Sequence, residues 1–198
     1  MNHDTNPPDT RKATTGYIAL QIMTLIRIPM AVIFGLILVF TNPSDLKLIA
    51  CLALLGLIEA SDLLDGVIAR RYNLVSEYGA MLDPYADSIT RLIVYFSMAS
   101  HNLVLSLVPM AMALRDVTVA YARISLAKKN RTVSAKRSGK IKAMFQAIGA
   151  FVALLGPYYW DTIGSWSFLA LSWVLITVTL LSAVEYVRAA LRALSGKD

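Results

Sequence analysis

The chain has 198 residues, of which 57% are hydrophobic and 16% charged, and its formal net charge is +6. A soluble domain is about 45–50% apolar and about 25% charged, so these values exclude an ordinary water-soluble domain and a disordered chain. The single cysteine, Cys51, excludes a disulfide framework and a cysteine-based zinc site. We therefore expect a membrane protein, in which each span needs about 20 mainly apolar residues.

Six apolar segments follow a polar N-terminal segment, residues 1–16, which we expect to be mobile or to form a short interfacial helix. The predicted spanning helices cover roughly residues 17–40, 46–68, 83–100, 103–127, 141–159 and 167–191. A tight link at His101 and Asn102 joins the third helix to the fourth. The sequence predicts an all-α integral membrane protein, with residues 17–198 forming one domain of six transmembrane helices.

The distribution of basic residues predicts the orientation of these helices. With six spans, fourteen Lys and Arg residues fall on the side of both termini, and only Lys47 falls on the other side. The positive-inside rule then places both termini in the cytoplasm. The excess of basic residues is explained by the membrane topology and by contact with anionic lipid headgroups, so we expect no nucleic-acid partner. The bacterial cytoplasmic membrane is the expected location, with an organelle membrane as the alternative.

Four aspartates lie near the ends of the second and third predicted helices, where ionisable groups are costly and usually functional: Asp62, Asp65, Asp83 and Asp87. The first two are about 60° apart on a helix, and the last two are about one turn apart. If the two helices are antiparallel neighbours, the carboxylates converge, with too few nearby cations to neutralise them. Oxygen ligands without His or Cys favour Mg²⁺, Mn²⁺ or Ca²⁺, and two such ions suit phosphoryl transfer.

Three residues with almost no side chain share faces with these aspartates: Gly66, Ala69 and Gly79. Structural alternatives exist for parts of the pattern. Asp83 could cap a helix that begins at Pro84, and Arg70 or Arg71 could form a structural ion pair with an aspartate. The small residues could serve only close helix packing. None of these alternatives accounts for all of the residues together.

The pattern Asp62-x2-Asp65-Gly66-x2-Ala69-Arg70-x8-Gly79-x3-Asp83-x3-Asp87 matches the signature of the CDP-alcohol phosphatidyltransferase family at every fixed position. The chain resembles that family over roughly residues 17–195. Such enzymes are six-helix membrane proteins, usually homodimers, and they move a phosphatidyl group from CDP-diacylglycerol to an alcohol and release CMP. The resemblance therefore implies a metal-dependent transferase.

The resemblance also implies roles for the matched residues. Asp62, Asp65 and Asp83 would bind two divalent ions, Mg²⁺ or Mn²⁺. Asp87 would complete the metal site and act as general base on the acceptor hydroxyl. The residues expected to bind CDP-diacylglycerol are Asp62, Asp65, Gly66, Ala69, Arg70, Gly79 and Thr24.

Within the family, three stretches resemble the phosphatidylglycerophosphate synthase branch: TLIR at 24–27, RD at 115–116 followed by Arg123, and SGKIK at 138–142. Arg115 and Arg123 are also costly to bury in a membrane helix, and Asp116 can offset only one of them. Arginine binds phosphate oxygens through paired N–H donors, so the acceptor is expected to carry a phosphate.

The residues expected to bind the acceptor phosphate are Arg115, Arg123, Lys140 and Arg27. The expected acceptor is glycerol-3-phosphate, and inositol phosphate or another alcohol is the alternative within the same chemistry. A cation or proton transporter, using aspartates inside the membrane, is an alternative from a different class. A third class, a catalytically inactive membrane scaffold, would be supported by the loss of a signature aspartate, and all four are present.

Overall fold

A computed structural model of the chain describes residues 21–71, 77–129, 137–164 and 166–195, and all regular structure in these ranges is helical. The helices are α1 Arg27–Phe40, α2 Asp45–Arg71, α3 Glu77–Ser100, α4 Leu107–Ala127, α5 Arg137–Ile163 and α6 Trp166–Ser195. Helical turns that begin at Gln21 lead into α1. The all-α prediction is confirmed, and residues 1–16 lie outside the described residues.

Four helices, α2, α3, α5 and α6, extend beyond the predicted apolar segments, whereas α4 begins at Leu107, because the link after α3 is longer than the two residues predicted. α3 begins at Glu77 rather than at Asp83, so that Pro84 lies inside the helix. The alternative in which Asp83 caps a helix starting at Pro84 is therefore wrong. Hydropathy underestimates such ends, because a membrane helix continues past the apolar stretch into polar surroundings. Proline is tolerated there when neighbouring groups satisfy the freed carbonyl.

The packing order of the helices differs from the simple neighbour arrangement that the sequence suggested. α1 packs against both α2 and α3, while α2 also packs against α5. α6 packs against α4 and α5, and α3 contacts α4 and α5. The first helix is thus the main partner of both aspartate-bearing helices.

Three short connections join the helices at the end of the bundle opposite the aspartates, which we call the short-loop end: 41–44, 101–106 and the connection that contains Gly164. Ser44 accepts a hydrogen bond from the backbone N–H of Lys47 at 3.2 Å and so caps α2. Asn102 has a φ of 55°, in the left-handed region that asparagine tolerates better than most residues. Gly164 has a φ of 102°, which suits glycine because it has no Cβ.

The bundle exposes apolar side chains and buries polar ones alongside a continuous apolar core. The core includes Phe34, Tyr95, Met98 and Met112, which come from three helices. The buried polar residues are Thr24, Arg27, Asp65, Thr90, Arg91, Ser97, Lys142, Gln146, Ser172, Thr179 and Ser182.

Three helices of the described chain are long and apolar enough to cross a membrane, namely Gln21–Phe40, Gly139–Tyr159 and Trp166–Ser195. Most of each apolar stretch faces outward from the bundle. A bundle with apolar side chains on its outer surface and polar side chains in its interior is expected where lipid is the solvent.

Candidate functional site

The carboxylates of α2 and α3 meet at one end of the bundle. One oxygen from each of Asp62, Asp65 and Asp83 lies within 4.8 Å of the other two. Asp65 is buried, whereas the Asp83 side chain is 55% exposed, so the cluster is open on one side. The predicted convergence of the two helices is therefore observed for these three aspartates, which we call the aspartate cluster.

Arg27 of α1 lies among these carboxylates with only 1% of its surface exposed. Its guanidinium forms an ion pair with Asp62, lies 2.7 Å from an oxygen of Asp83 and lies 3.1 Å from an oxygen of Asp65. A planar guanidinium can bridge several carboxylates because its five N–H donors point in fixed, divergent directions. Arg27 is predicted to bind the acceptor phosphate, whereas the contacts of its guanidinium in the structure are with the aspartate cluster.

Thr24 holds both partners of this arrangement in place. Its hydroxyl donates to Asp65 at 3.3 Å, and its backbone carbonyl accepts a hydrogen bond from Nε of Arg27 at 3.2 Å. On α2, the Ser61 hydroxyl donates to the carbonyl of Met23 at 3.3 Å. The turn before α1 is thereby fixed against α2 at the level of the cluster.

The fourth signature aspartate has its own partners. Asp87 accepts a hydrogen bond from Nε of Arg91 at 2.8 Å, one turn along α3. The other side of the Arg91 guanidinium lies 3.2 Å from a carboxylate oxygen of Glu59 on α2. Glu59 is not among the site residues predicted from the sequence. Its position three residues before Asp62, on nearly the same helix face, was the available signal.

The aspartate cluster fits a hard divalent cation by the chemistry of its donors. It offers carboxylate oxygens from two helices, with no His or Cys among the grouped residues. Mg²⁺ and Mn²⁺ prefer such oxygens. Counted over the described side chains, three carboxylates exceed the positive charge of Arg27, which leaves negative charge that a cation can neutralise.

A second polar group, which we call the basic group, connects α4, α5 and α6. Arg115 lies 2.8 Å from an Asp116 oxygen and donates to the Ser182 hydroxyl at 3.2 Å. Lys142 of α5 lies 3.5 Å from the same Asp116 oxygen and is only 4% exposed. Two buried or nearly buried cations therefore share one carboxylate, which leaves this group with positive charge.

Two residues that the sequence analysis assigned to the acceptor phosphate lie outside this group. Lys140 is exposed near the start of α5, and the buried lysine is Lys142, two positions later. Arg123 is exposed, and its guanidinium carbon lies 5.8 Å from the centre of the Tyr186 ring in a cation–π contact.

The basic group lies on helices that pack against the aspartate-bearing half of the bundle, because α3 contacts both α4 and α5. Lys142 interacts electrostatically with both Asp87 and Arg91. Between the two halves, Tyr95 donates to the carbonyl of Gln146 at 2.5 Å, and the Gln146 amide donates to Thr179 at 3.0 Å. Polar side chains therefore continue across the interior from α3 to α6.

The other residues predicted to bind CDP-diacylglycerol are described only in part. Gly66, Ala69 and Arg70 lie on α2, but their surroundings are outside the described side chains. Gly79 is half-buried in the first turn of α3, one turn before Asp83. The roles assigned to these four residues stay predictions.

Comparison with known proteins gives one family match. The sequence model of a family described as CDP-alcohol phosphatidyltransferase matches residues 18–184, which is most of the chain. The match includes the aspartate cluster, Asp87, Arg91 and the basic group.

Several curated proteins are similar to the chain over most of their length. A protein of Rickettsia typhi is 28% identical over 172 residues, covering 84% of this chain and 93% of the relative. A protein of Escherichia coli K12 is 29% identical over 175 residues, covering 86% of this chain and 92% of the relative. Both relatives are named CDP-diacylglycerol–glycerol-3-phosphate 3-phosphatidyltransferase.

Proposed function

This chain belongs to the CDP-alcohol phosphatidyltransferase family, and we propose that it transfers the phosphatidyl group of CDP-diacylglycerol to glycerol-3-phosphate, releasing CMP. The observation that carries the proposal is the meeting of Asp62, Asp65 and Asp83 at one open end of the bundle. The names of the relatives, which match over most of their length, support this choice of donor and acceptor.

The proposal includes a membrane topology with six spans and both termini in the cytoplasm. Three helices meet the length and composition of a span on their own. The other three carry most of the clustered charges, which lowers their hydropathy without shortening them. The excess of basic residues on the side of the aspartate cluster supports a cytoplasmic active site. A homodimer is expected from the family resemblance, and the bacterial cytoplasmic membrane is the proposed location, with an organelle membrane as the alternative.

The aspartate cluster would hold Mg²⁺ or Mn²⁺ through Asp62, Asp65 and Asp83, and Asp87 would complete the site. When bound, two such ions would neutralise charge on the diphosphate oxygens and stabilise the departing phosphate. The residues of the chain itself orient this site. Thr24 and Arg27 fix the positions of the carboxylates on α2 and α3.

Donor binding would extend from the cluster along the small residues of α2 and α3. Gly66, Ala69 and Gly79 would leave room for the cytidine nucleotide, because bulky groups approach closely only where side chains are absent. Arg70 would contact the diphosphate. Thr24, predicted to bind the donor directly, would act mainly by holding Asp65 through its hydroxyl.

Acceptor binding would use the positive charge of Arg115 and Lys142. Their shared carboxylate, Asp116, offsets only one of them, and a phosphate dianion would satisfy both. The structure favours Lys142 over Lys140 for this role, because Lys142 is buried beside Asp116. Arg123, exposed on the Tyr186 ring, would act at the entrance.

The chemical step would be a direct displacement at the β-phosphorus. The acceptor oxygen forms a bond to that phosphorus, the bond from phosphorus to the CMP oxygen breaks, and the hydroxyl proton passes to Asp87. Arg91 binds one oxygen of Asp87, which leaves the other oxygen to receive the proton. A positioned base of this kind contributes typically 10²–10⁴-fold.

The test is an assay of CMP release by the purified protein. It contains CDP-diacylglycerol, Mg²⁺ or Mn²⁺, and one acceptor from a panel of glycerol-3-phosphate, inositol phosphate, serine and glycerol. We expect CMP and phosphatidylglycerophosphate with glycerol-3-phosphate. Preference for inositol phosphate would change the acceptor but keep the binding of its phosphate by Arg115 and Lys142. Equal use of serine or glycerol would contradict the proposed phosphate-binding role of Arg115 and Lys142. Absence of CMP release with every acceptor would contradict the proposed transferase activity.

A further inference from the structure

We infer that a cavity at the short-loop end binds an anionic phospholipid, with its phosphate on Lys47 and part of one acyl chain inside. The cavity measures about 390 Å³ and lies between the start of α2, the connection from α3 to α4, and α5. It lies at the opposite end of the bundle from the aspartate cluster and takes no part in the proposed reaction.

The walls of the cavity change from apolar to polar toward its mouth. The inner wall consists of the buried side chains of Cys51, Leu103 and Leu154. The mouth carries Ser44, which is exposed, and Lys47, which is half-buried. Small-molecule sites measure about 300–1,000 Å³, so this cavity suits part of a lipid rather than a whole one.

Lys47 is held at the mouth with hydrogen-bonding capacity to spare. Its ammonium donates to the carbonyl of Thr41 at 2.9 Å and lies 3.4 Å from Nε2 of His101. An ammonium has three N–H donors, so one stays available for an anion. Lys47 also lies in the first turn of α2, where the helix dipole disfavours a cation and where Asp45 offsets part of that cost. A bound anion would offset the rest.

The ammonium at the mouth, rather than the net charge of this end, points to a lipid phosphate. In the sequence, Lys47 is the only Lys or Arg within the three connections of the short-loop end and the helix turns that flank them, which also contain Asp45 and Asp161. In the proposed topology its ammonium lies at the headgroup level of the leaflet opposite the active site, where lipid phosphates are concentrated. The apolar inner wall then receives the chain that is attached to the headgroup. This inference rests on the proposed topology but not on the proposed transfer reaction.

The experiment measures lipid binding to the purified, detergent-solubilised chain by native mass spectrometry. Phosphatidylglycerol and phosphatidylcholine with the same acyl chains are compared. We expect tighter binding of phosphatidylglycerol, and about tenfold weaker binding in Lys47→Gln because a charge-assisted hydrogen bond is lost. Lys47→Arg should keep the preference. Lys129→Gln removes an exposed charge at the other end and serves as the matched control.

Two further arms locate the ligand and identify its source. Leu48→Trp, at a half-buried lining position, should weaken phosphatidylglycerol binding by filling the cavity. Inorganic phosphate alone should not displace the lipid. Equal binding of the two lipids, no effect of Lys47→Gln, an equal effect of Lys129→Gln, or full displacement by phosphate would each overturn the inference. Lys47→Gln should leave CMP release unchanged, so this inference and the proposed function can fail separately.

Discussion

The two polar groups inside the bundle have opposite charge excesses. In the aspartate cluster, three carboxylates share the guanidinium of Arg27, the one cation that pairs with them among the described side chains. In the basic group, Arg115 and Lys142 share the single carboxylate of Asp116. Ion pairs that serve only stability have no need of such imbalance, because an uncompensated buried charge is costly. The difference is what the proposed function requires, namely cations at the aspartate cluster and an anion at the basic group.

A third set of ion pairs, in which Arg91 binds both Glu59 and Asp87, belongs to neither region. Arg91 binds carboxylates of α2 and α3, and both Asp87 and Arg91 lie within electrostatic range of Lys142. In the proposed reaction, a phosphate held at the basic group would bring an attached hydroxyl toward Asp87. The proposal thus assigns donor binding to α1–α3, acceptor binding to α4–α6, and the base to Asp87.

Loss of a carboxylate from the aspartate cluster should have the largest effect on turnover, because it lowers the negative charge of the cluster directly. Asp62→Asn and Asp83→Asn should each lower turnover about 10³-fold, because charge stabilisation by bound metal amounts to several kcal/mol. Steady-state CMP release measures this. Asp45→Asn, at an exposed position in the first turn of α2, should keep full activity. Near-normal turnover of either cluster variant would contradict the metal assignment.

Removal of the cluster's own cation should affect folding as well as activity. Arg27→Ala leaves three carboxylates around an uncompensated site, so we expect a loss of about 3–5 kcal/mol in unfolding free energy without divalent ions. Thermal unfolding in detergent with EDTA measures it. Arg192→Ala, exposed in the last turn of α6, is the control. A wild-type melting temperature for Arg27→Ala would show that the guanidinium is not needed to hold the cluster.

The sequence predicted the carboxylates of this region but not their cation. Asp62 and Asp65 share a helix face by spacing alone, and Asp83 follows from helix continuity. The partnership of Arg27 depends on α1 packing against both α2 and α3, which is a tertiary arrangement with no local sequence signal. The start of α3 at Glu77 was missed for a related reason, since hydropathy detects only the apolar part of a membrane helix.

In the acceptor region, too, the sequence alone could not predict which of two lysines faces the interior. Lys140 and Lys142 are about 200° apart around a helix, so only one of them can face the interior. The motif SGKIK contains both, and the choice depends on where Asp116 of α4 lies relative to α5. Arg115, in contrast, was predicted from the cost of burying an arginine, and it is nearly buried beside Asp116.

Lys142 and Lys140 offer a matched pair that sharpens the comparison. Lys142→Gln should raise the KM for glycerol-3-phosphate at least tenfold, because a charge-assisted contact to phosphate is worth about 1.5–3 kcal/mol. Lys140→Gln should change it less than about twofold, since exposed charges contribute little. Initial rates at varied acceptor concentration measure both. The reverse order would return the acceptor site to the position that the motif alone suggested.

The smallest expected effect concerns the packing that supports the basic group. A Cβ at Gly149 of α5 would lie 2.7 Å from Leu175 of α6 and 3.1 Å from the Tyr95 hydroxyl, whereas one at Gly56 meets nothing within 4 Å. Gly56→Ala should stabilise the chain by up to about 1 kcal/mol through helix propensity. Gly149→Ala should show no such gain, so its melting temperature should lie below that of Gly56→Ala. Equal gains would argue against tight α5–α6 packing at this level.

The division of labour between the two regions is tested most directly by equilibrium binding to three proteins: wild type, Asp83→Asn and Lys142→Gln. Titration calorimetry measures CMP in the presence of Mn²⁺, and separately glycerol-3-phosphate. We predict a crossed result, in which Asp83→Asn loses CMP binding but keeps glycerol-3-phosphate, while Lys142→Gln loses glycerol-3-phosphate but keeps CMP. Loss of both ligands in both folded variants, or an unchanged affinity for glycerol-3-phosphate in Lys142→Gln, would contradict the assignment.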